Sequence, residues 1–283
     1  MRAVSLLRAV GLCACAALGL SLCSGGAAAN NVAYPDQTGT NVVFRSITED
    51  ANVPGHPAPL FGPPTVSGDN LYFVPPAAFS ANSSNGTPDV ADGHLTFRVQ
   101  AKAGQGVTSV DYSESGYYSL FGPGTVRSAV GVPALLTVME VNGSPITPLS
   151  INPTTSLFTP TATGIFELPQ NSNSQVNQPW TGAISFNVAA ALQGAGYSGA
   201  FATDVMVTLD NSLVAQSTAG TIASIGKQAA QISVNTSPVP VPGSGVLAGI
   251  GLACLGWHGW RRRRRGSQPA AAPPHARRTP LIW

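Results

Sequence analysis

Two histidines and three close pairs of carboxylates are the residues whose types and spacing could do chemistry in the central part of this sequence. His56 lies in a proline loop, PGHPAP, and His94 opens a run of alternating polar and apolar residues. A nucleophilic hydrolase would need one of them beside a serine and an acid. The chain has no G-x-S-x-G elbow, and both histidines read as solvated surface groups. The carboxylates fall as Glu49/Asp50, Asp89/Asp92 and Asp111/Glu114. Glycoside hydrolysis requires two carboxyls facing each other across a cleft, whereas neighbouring acids in loops are ordinarily solvated charges. Asp89 and Asp92, in the oxygen-rich stretch 85–93, are the calcium candidates, although their spacing is not that of an EF-hand. Tyr117, Tyr118 and Trp180 are the aromatics that could stack on sugar rings, against the commoner use of such residues in packing. No catalytic residue, cofactor or metal is expected.

Cysteine and glycine patterns narrow the chemistry further. The four cysteines, Cys13, Cys15, Cys23 and Cys254, all lie outside residues 30–237. The body therefore has no disulfide framework, no thiolate metal site and no cysteine nucleophile. Two scattered histidines without cysteines do not make a zinc site. Gly243-Ser-Gly-Val-Leu-Ala248 fits G-x-G-x-x-A but follows prolines rather than a strand, so it is not a dinucleotide loop.

The elements that must position these residues read as β. Leu95, Phe97, Val99 and Ala101 alternate with His94, Thr96, Arg98 and Gln100, a strand with one buried face. Ile184, Phe186 and Val188 alternate likewise, as do Val205, Val207 and Leu209. Asp210-Asn211 reads as a turn into 212–216, and Ile232 and Val234 suit a last strand. Asn142-Gly143 is a strong hairpin signal, and Val188 to Leu192 is the one helical hint. Clusters of Gly, Pro, Asn and Ser punctuate the runs, so residues 30–237 are expected to form a single mainly β domain of β-sandwich or jelly-roll type. The segment Leu60-Phe-Gly-Pro-Pro-Thr-Val66 echoes Leu120-Phe-Gly-Pro-Gly-Thr-Val126, which reads as a shared strand-and-turn device rather than a repeat.

Charge separates body from ends. The whole chain carries a formal +2, but residues 30–237 hold five basic and all twelve acidic residues, a net −7. Such a surface argues against nucleic acid as a partner and suits a soluble extracellular protein.

Residues 1–29 have the build of a secretory signal peptide. Arg2 and Arg8 precede the apolar run Ala9 to Leu22, and Ala27-x-Ala29 marks cleavage before Asn30. A lipoprotein alternative at Cys23, after Leu20-Ser21-Leu22, would put the bulky Leu22 where a small residue is wanted. The Sec translocon and signal peptidase are the expected partners.

At the other end, Pro238, Pro240 and Pro242 hold the chain extended ahead of an apolar stretch, 246–260. Fifteen helical residues reach roughly 22 Å, short of a hydrocarbon core of about 30 Å. Trp257 and Trp260 suit the interface, and Arg261, Arg262, Arg263, Arg264 and Arg265 would stay cytoplasmic. Residues 266–283 are expected to be a disordered cytoplasmic tail.

Val239-Pro240-Val241-Pro242-Gly243, the short span and the arginine block together resemble the PEP-CTERM sorting signal of exopolysaccharide-producing Gram-negative bacteria. The family's usual motif is Pro-Glu-Pro-like, and the glutamate is absent here. The resemblance implies recognition and removal by an exosortase-like membrane enzyme. The body would then be delivered to the cell surface or matrix, in association with exopolysaccharide and biofilm, as a non-catalytic protein. The alternatives are a carbohydrate-binding module or glycan-active enzyme, and a plain C-terminally anchored membrane protein.

Overall fold

The computed structural model describes residues 31–239 apart from 52 and 78, together with residues 252, 254, 255 and 257. Residues 31–239 form sixteen strands and one short helix, in chain order. The first group is β1 (Val32–Tyr34), β2 (Gln37–Thr38), β3 (Val42–Asp50), β4 (Thr65–Ser67), β5 (Asn70–Phe73) and β6 (Ser80–Ser84). Two long strands come next, β7 (Asp89–Ala101) and β8 (Gln105–Phe121), and then β9 (Val126–Gly131), β10 (Ala134–Val141), β11 (Ser144–Ile151), β12 (Thr155–Thr159) and β13 (Ile165–Leu168). The chain closes with β14 (Gln175–Asn187), α1 (Val188–Gly194), β15 (Ala202–Gln216) and β16 (Ile222–Pro238).

All the strands join one curled antiparallel sheet. In one limb β1 and β2 share one edge of β3, β7 pairs its other edge, and β7 pairs β15. The far edge of β15 is shared by β10 along its first half and β9 along its second, and these carry β11 and β13. In the other limb β16 pairs β5, β6 and β8, and β8 continues to β14 and β12. A single pairing, Ala202 with Val107, links the limbs. Side chains close the curl: Tyr118 on β8 stacks on Phe166 of β13 with centroids 4.3 Å apart, and Asn211 on β15 reaches Glu114 on β8.

The inner face holds one core. Leu95, Phe97 and Val99 are fully buried on β7, while His94, Thr96, Arg98 and Gln100 face outward, as the alternation predicts. Phe61 packs edge-on against Phe73 and Phe79, with centroids 5.8 and 5.2 Å away. The hairpin at Asn142-Gly143 forms as expected. Val141 pairs Ser144, and both turn residues have positive φ, 51° and 76°. Helix α1 begins at Val188, where Asn187 Oδ1 accepts from Ala190 N at 2.9 Å.

The strand reading fails at Asp210-Asn211. Asp210-Asn211 is not a turn: β15 runs straight through it, with Asp210 exposed and Asn211 fully buried. A polar pair mimics a turn signal, but here one member faces solvent and the other is bonded inside the core. The two Leu-Phe-Gly-Pro segments share a buried leucine and a glycine bend, but Leu120-Phe121 ends a strand and Leu60-Phe61 does not, and Phe61 is buried where Phe121 is half-buried. Leu60 and Leu120 are both buried, and Gly62 and Gly122 both take left-handed φ, 78° and 107°. Among the described residues no helix is long and apolar enough to cross a membrane. Most of the stretch 246–260 lies outside them, as do residues 1–30.

Candidate functional site

The densest chemistry in the body lies inside it. Four strand residues converge there: Tyr112 and Glu114 on β8, Asn211 on β15 and Lys227 on β16. Lys227 Nζ lies 2.5 Å from Glu114 Oε2, with neither side chain exposed. Asn211 Nδ2 donates to the same oxygen at 2.6 Å, and the Tyr112 hydroxyl donates to it at 2.8 Å. That hydroxyl also accepts from Lys227 Nζ at 3.1 Å and from Asn211 Nδ2 at 3.2 Å. Glu114 Oε1 and Asn211 Oδ1 are buried without a hydrogen-bond partner.

Local structure delivers each group. On β8 the inward positions run Val110, Tyr112, Glu114, so the polar pair sits at core positions of an ordinary alternation. On β16 the register shifts between Lys227 and Ala229, a bulge that leaves Lys227 as the last inward residue before the phase changes to Ala230, Ile232 and Val234. The lysine ammonium lies over the faces of Phe79 and Phe61, 4.5 and 4.8 Å from their centroids. Burial pushes the Lys227 amine down to about 8, and the Glu114 carboxylate opposes that fall. Burial, and then the Glu114 charge, push the Tyr112 phenol well above its ordinary value.

Glu49 is the neighbouring buried acid. It is fully enclosed and accepts from Phe61 N at 2.6 Å, from Leu60 N, and from the Tyr34 hydroxyl at 2.8 Å. It thus holds the Leu60-Phe61 segment, whose ring covers Lys227. Burial and this carboxylate raise the Tyr34 phenol.

The residues singled out by sequence scatter by comparison. Adjacent and three-apart positions on a strand face opposite ways, so none of the carboxylate pairs converges. Glu49 points inward, while the Asp50 carboxylate lies 3.6 Å from His94 on the outer face. Glu114 is buried, while Asp111 accepts from Ser185 Oγ and from Asn235 Nδ2. The calcium pair separates in the same way. Asp89 is occupied by His56 Nε2 at 2.9 Å and Asn82 N at 2.6 Å. Burial alone would raise Asp89, but those bonds hold it below its ordinary value. Asp92 lies on the other face, pushed up to about 6 by burial and then by Asp210. Among the described residues no three His, Cys, Asp or Glu side chains gather to hold a metal.

Two of the three glycan-contact candidates are corrected by burial. Trp180 is 1 % exposed and Tyr118 is 6 % exposed, whereas Tyr117 is 43 % exposed. Trp180 lies over Gly116, and Tyr118 is covered by Phe166, so neither offers a ring face to a sugar. Of the processing residues, Val239 is described: its N–H bonds Gly104 O at 2.9 Å, one residue beyond the Pro238–Gln105 pair. A cavity of about 350 Å³ lined by Lys102, Gly104, Glu140, Asn142 and Val239 opens at this exit. Pro240 to Gly243, Arg261 to Arg265, and Ala27, Ala29 and Asn30 lie outside the described residues.

Sequence reasoning read Glu49 and Glu114 as solvated charges and Asn211 as a turn residue, whereas all three are buried, and it missed Lys227. A signal was present for Lys227, the one basic residue between Arg127 and the C-terminal arginines, flanked by apolar runs. No family model matches the chain, and no curated protein does.

Proposed function

We propose that the chain is an exported, exosortase-sorted protein of the cell surface or extracellular matrix, non-catalytic and associated with extracellular polysaccharide. A β-sandwich or jelly-roll-like body is its cargo. The observation that carries this is the order of segments after Pro238: Val-Pro-Val-Pro-Gly, a short apolar stretch ending in tryptophan, then five arginines. The N-terminal charged, apolar and small-residue regions and the body charge of −7 support export. The latch from Val239 N to Gly104 O adds a spatial constraint. Val239, the first residue of the motif, is thereby tied to the turn between β7 and β8 at the edge of the body.

The intact mass of protein recovered from surface and medium tests this. A species starting at Asn30 and ending within 239–243 is expected. A species ending at Trp283 and found only with membranes would mean a plain anchor and would overturn the sorting reading. Replacing Arg261 to Arg265 by neutral residues should disturb orientation and processing. A glycan-binding role survives at Tyr117, the exposed one of the three aromatics. Loss of binding in a glycan screen on Tyr117→Ala, with the fold intact, would favour that second reading.

A further inference from the structure

An amine, a carboxamide and a carboxylate meet on one oxygen in the core. Lys227 Nζ and Asn211 Nδ2 lie 2.5 and 2.6 Å from Glu114 Oε2, so the two nitrogens are at most about 5 Å apart. These are the three groups that amide transfer needs: a nucleophile, an acyl group with a departing nitrogen, and a carrier for protons. We propose that the folded body joins Lys227 Nζ to Asn211 Cγ in an intramolecular isopeptide bond, with Glu114 moving the protons and ammonia leaving.

The atoms balance without any co-reactant. The Lys227 ammonium gives a proton to Glu114, and the freed amine attacks Asn211 Cγ. The Nζ–Cγ bond forms and the Cγ–Nδ2 bond breaks. Of the three protons that Nζ brings, one stays on the new amide. One passes through Glu114 to Nδ2, which departs as ammonia. The third remains on the Glu114 carboxyl. A buried ion pair becomes a neutral amide beside a neutral acid, and no uncompensated charge is left in the core.

Four observations carry the inference. The reacting groups are held by three different strands and cannot drift apart, which is the source of high effective concentration. The amine is walled by Phe61, Phe79 and Tyr112, an apolar surround that favours its uncharged, nucleophilic form. The Tyr112 hydroxyl touches the amine, the carboxamide and the carboxylate alike. Asn211 Oδ1 is buried without a partner, an unfavourable placing for an asparagine whose role is only to pack. The bond would tie β15 in one limb of the curl to β16 in the other. It would give a cysteine-free body the covalent clasp that a disulfide gives elsewhere.

The test is tandem mass spectrometry of the purified full chain, denatured and digested with chymotrypsin. Cleavage after Leu213 separates Asn211 from Lys227 unless a bond joins them. The expected product is a branched peptide linking the two residues, lighter by one ammonia, about 17 Da, than its separate parts. Asn211→Ala keeps the Lys227–Glu114 pair and should give only linear peptides. Glu114→Gln, folded by circular dichroism, should give mostly linear ones. Linear peptides of full mass from the folded wild-type chain would overturn the proposal, whatever the variants do. So would a branch from Lys227 to Glu114 with loss of water, about 18 Da.

Discussion

Lys227 on β16 and Glu114 on β8 form a completely enclosed ion pair, Nζ to Oε2 at 2.5 Å, within a largely apolar core. A pair so placed costs desolvation energy on both sides, and its attraction repays that only through geometry and added hydrogen bonds. Tyr112 and Asn211 supply those bonds. In an Asn211→Ala background, where no covalent bond can form, Glu114→Leu or Lys227→Met alone should each cost about 3–5 kcal/mol by stranding the other charge. The double variant should recover most of that loss, because two apolar side chains leave nothing stranded. Urea unfolding of the four proteins measures the coupling. Additive losses would mean that the two groups do not act as a pair.

The same lysine sets an alkaline pH dependence. Its folded value is pushed from 10.5 down to about 8, mainly by burial. Between those values the unfolded chain holds a proton that the folded chain has released. Unfolding therefore takes up a proton, and stability rises with pH across this window. In Asn211→Ala the rise should be about 3 kcal/mol from pH 8 to 10.5, and Lys227→Met should abolish it. Tyr112, raised by burial and by Glu114, works in the opposite direction once unfolded tyrosine begins to ionise near 10. The rise should accordingly flatten at its upper end. Chemical denaturation at a series of pH values reads both effects.

On the outer face, Asp92 gives the acid counterpart. Burial first, and then the Asp210 charge, raise it from 3.8 to about 6, with Asp50 adding to the rise and His94 opposing it. The folded chain holds the proton between those values and the unfolded chain does not. This contribution to stability is present at low pH and is lost as pH rises through about 6. Asp92→Asn should raise the melting temperature at neutral pH and remove that slope between pH 4 and 6. A melting curve that is unchanged at neutral pH would mean that Asp210 and Asp92 do not strain each other.

The strands were legible where alternation used apolar residues. β7 and the first half of β15 followed directly from Leu95, Phe97 and Val99 and from Val205, Val207 and Leu209. The helix at Val188 and the Asn142-Gly143 hairpin were legible too, because cap and turn chemistry is local. The central strand β8 was not, because its inward positions include Glu114 and Gly116, which a hydrophobicity pattern scores as breaks. The buried constellation was invisible for the same reason. A glutamate in the core looks like a surface glutamate until β15 and β16 bring it an asparagine and a lysine from about a hundred residues away. Trp180 shows the converse: an aromatic beside polar residues suggested a binding surface, but the pairing of β14 with β8 turns it inward over a glycine.

That contact between Trp180 and Gly116 gives the sharpest steric prediction. A Cβ built on Gly116 would stand 1.9 Å from Gly226 O and 2.8 Å from two atoms of the indole. Gly226 O is backbone of β16 and cannot swing aside, so the pairing of β8 with β16 would have to open where Gly116 meets Lys227. Overpacking a core commonly costs about 1–3 kcal/mol, and a clash against backbone belongs at or above the top of that range. Gly116→Ala should therefore destabilise the body by about 3 kcal/mol or more. Trp180→Ala should cost about 3–5 kcal/mol through the lost burial and the cavity left behind. Their combination should be less damaging than the sum, because removing the indole relieves one of the two clashes. Tyr117→Ala, on the exposed side of the same strand, should change stability by less than about 1 kcal/mol. Any loss of ligand binding on Trp180→Ala would then be traced to unfolding, and loss on Tyr117→Ala to a contact. Circular dichroism melts of the four variants decide the matter, and an unchanged Gly116→Ala melt would contradict the close packing of β8, β14 and β16.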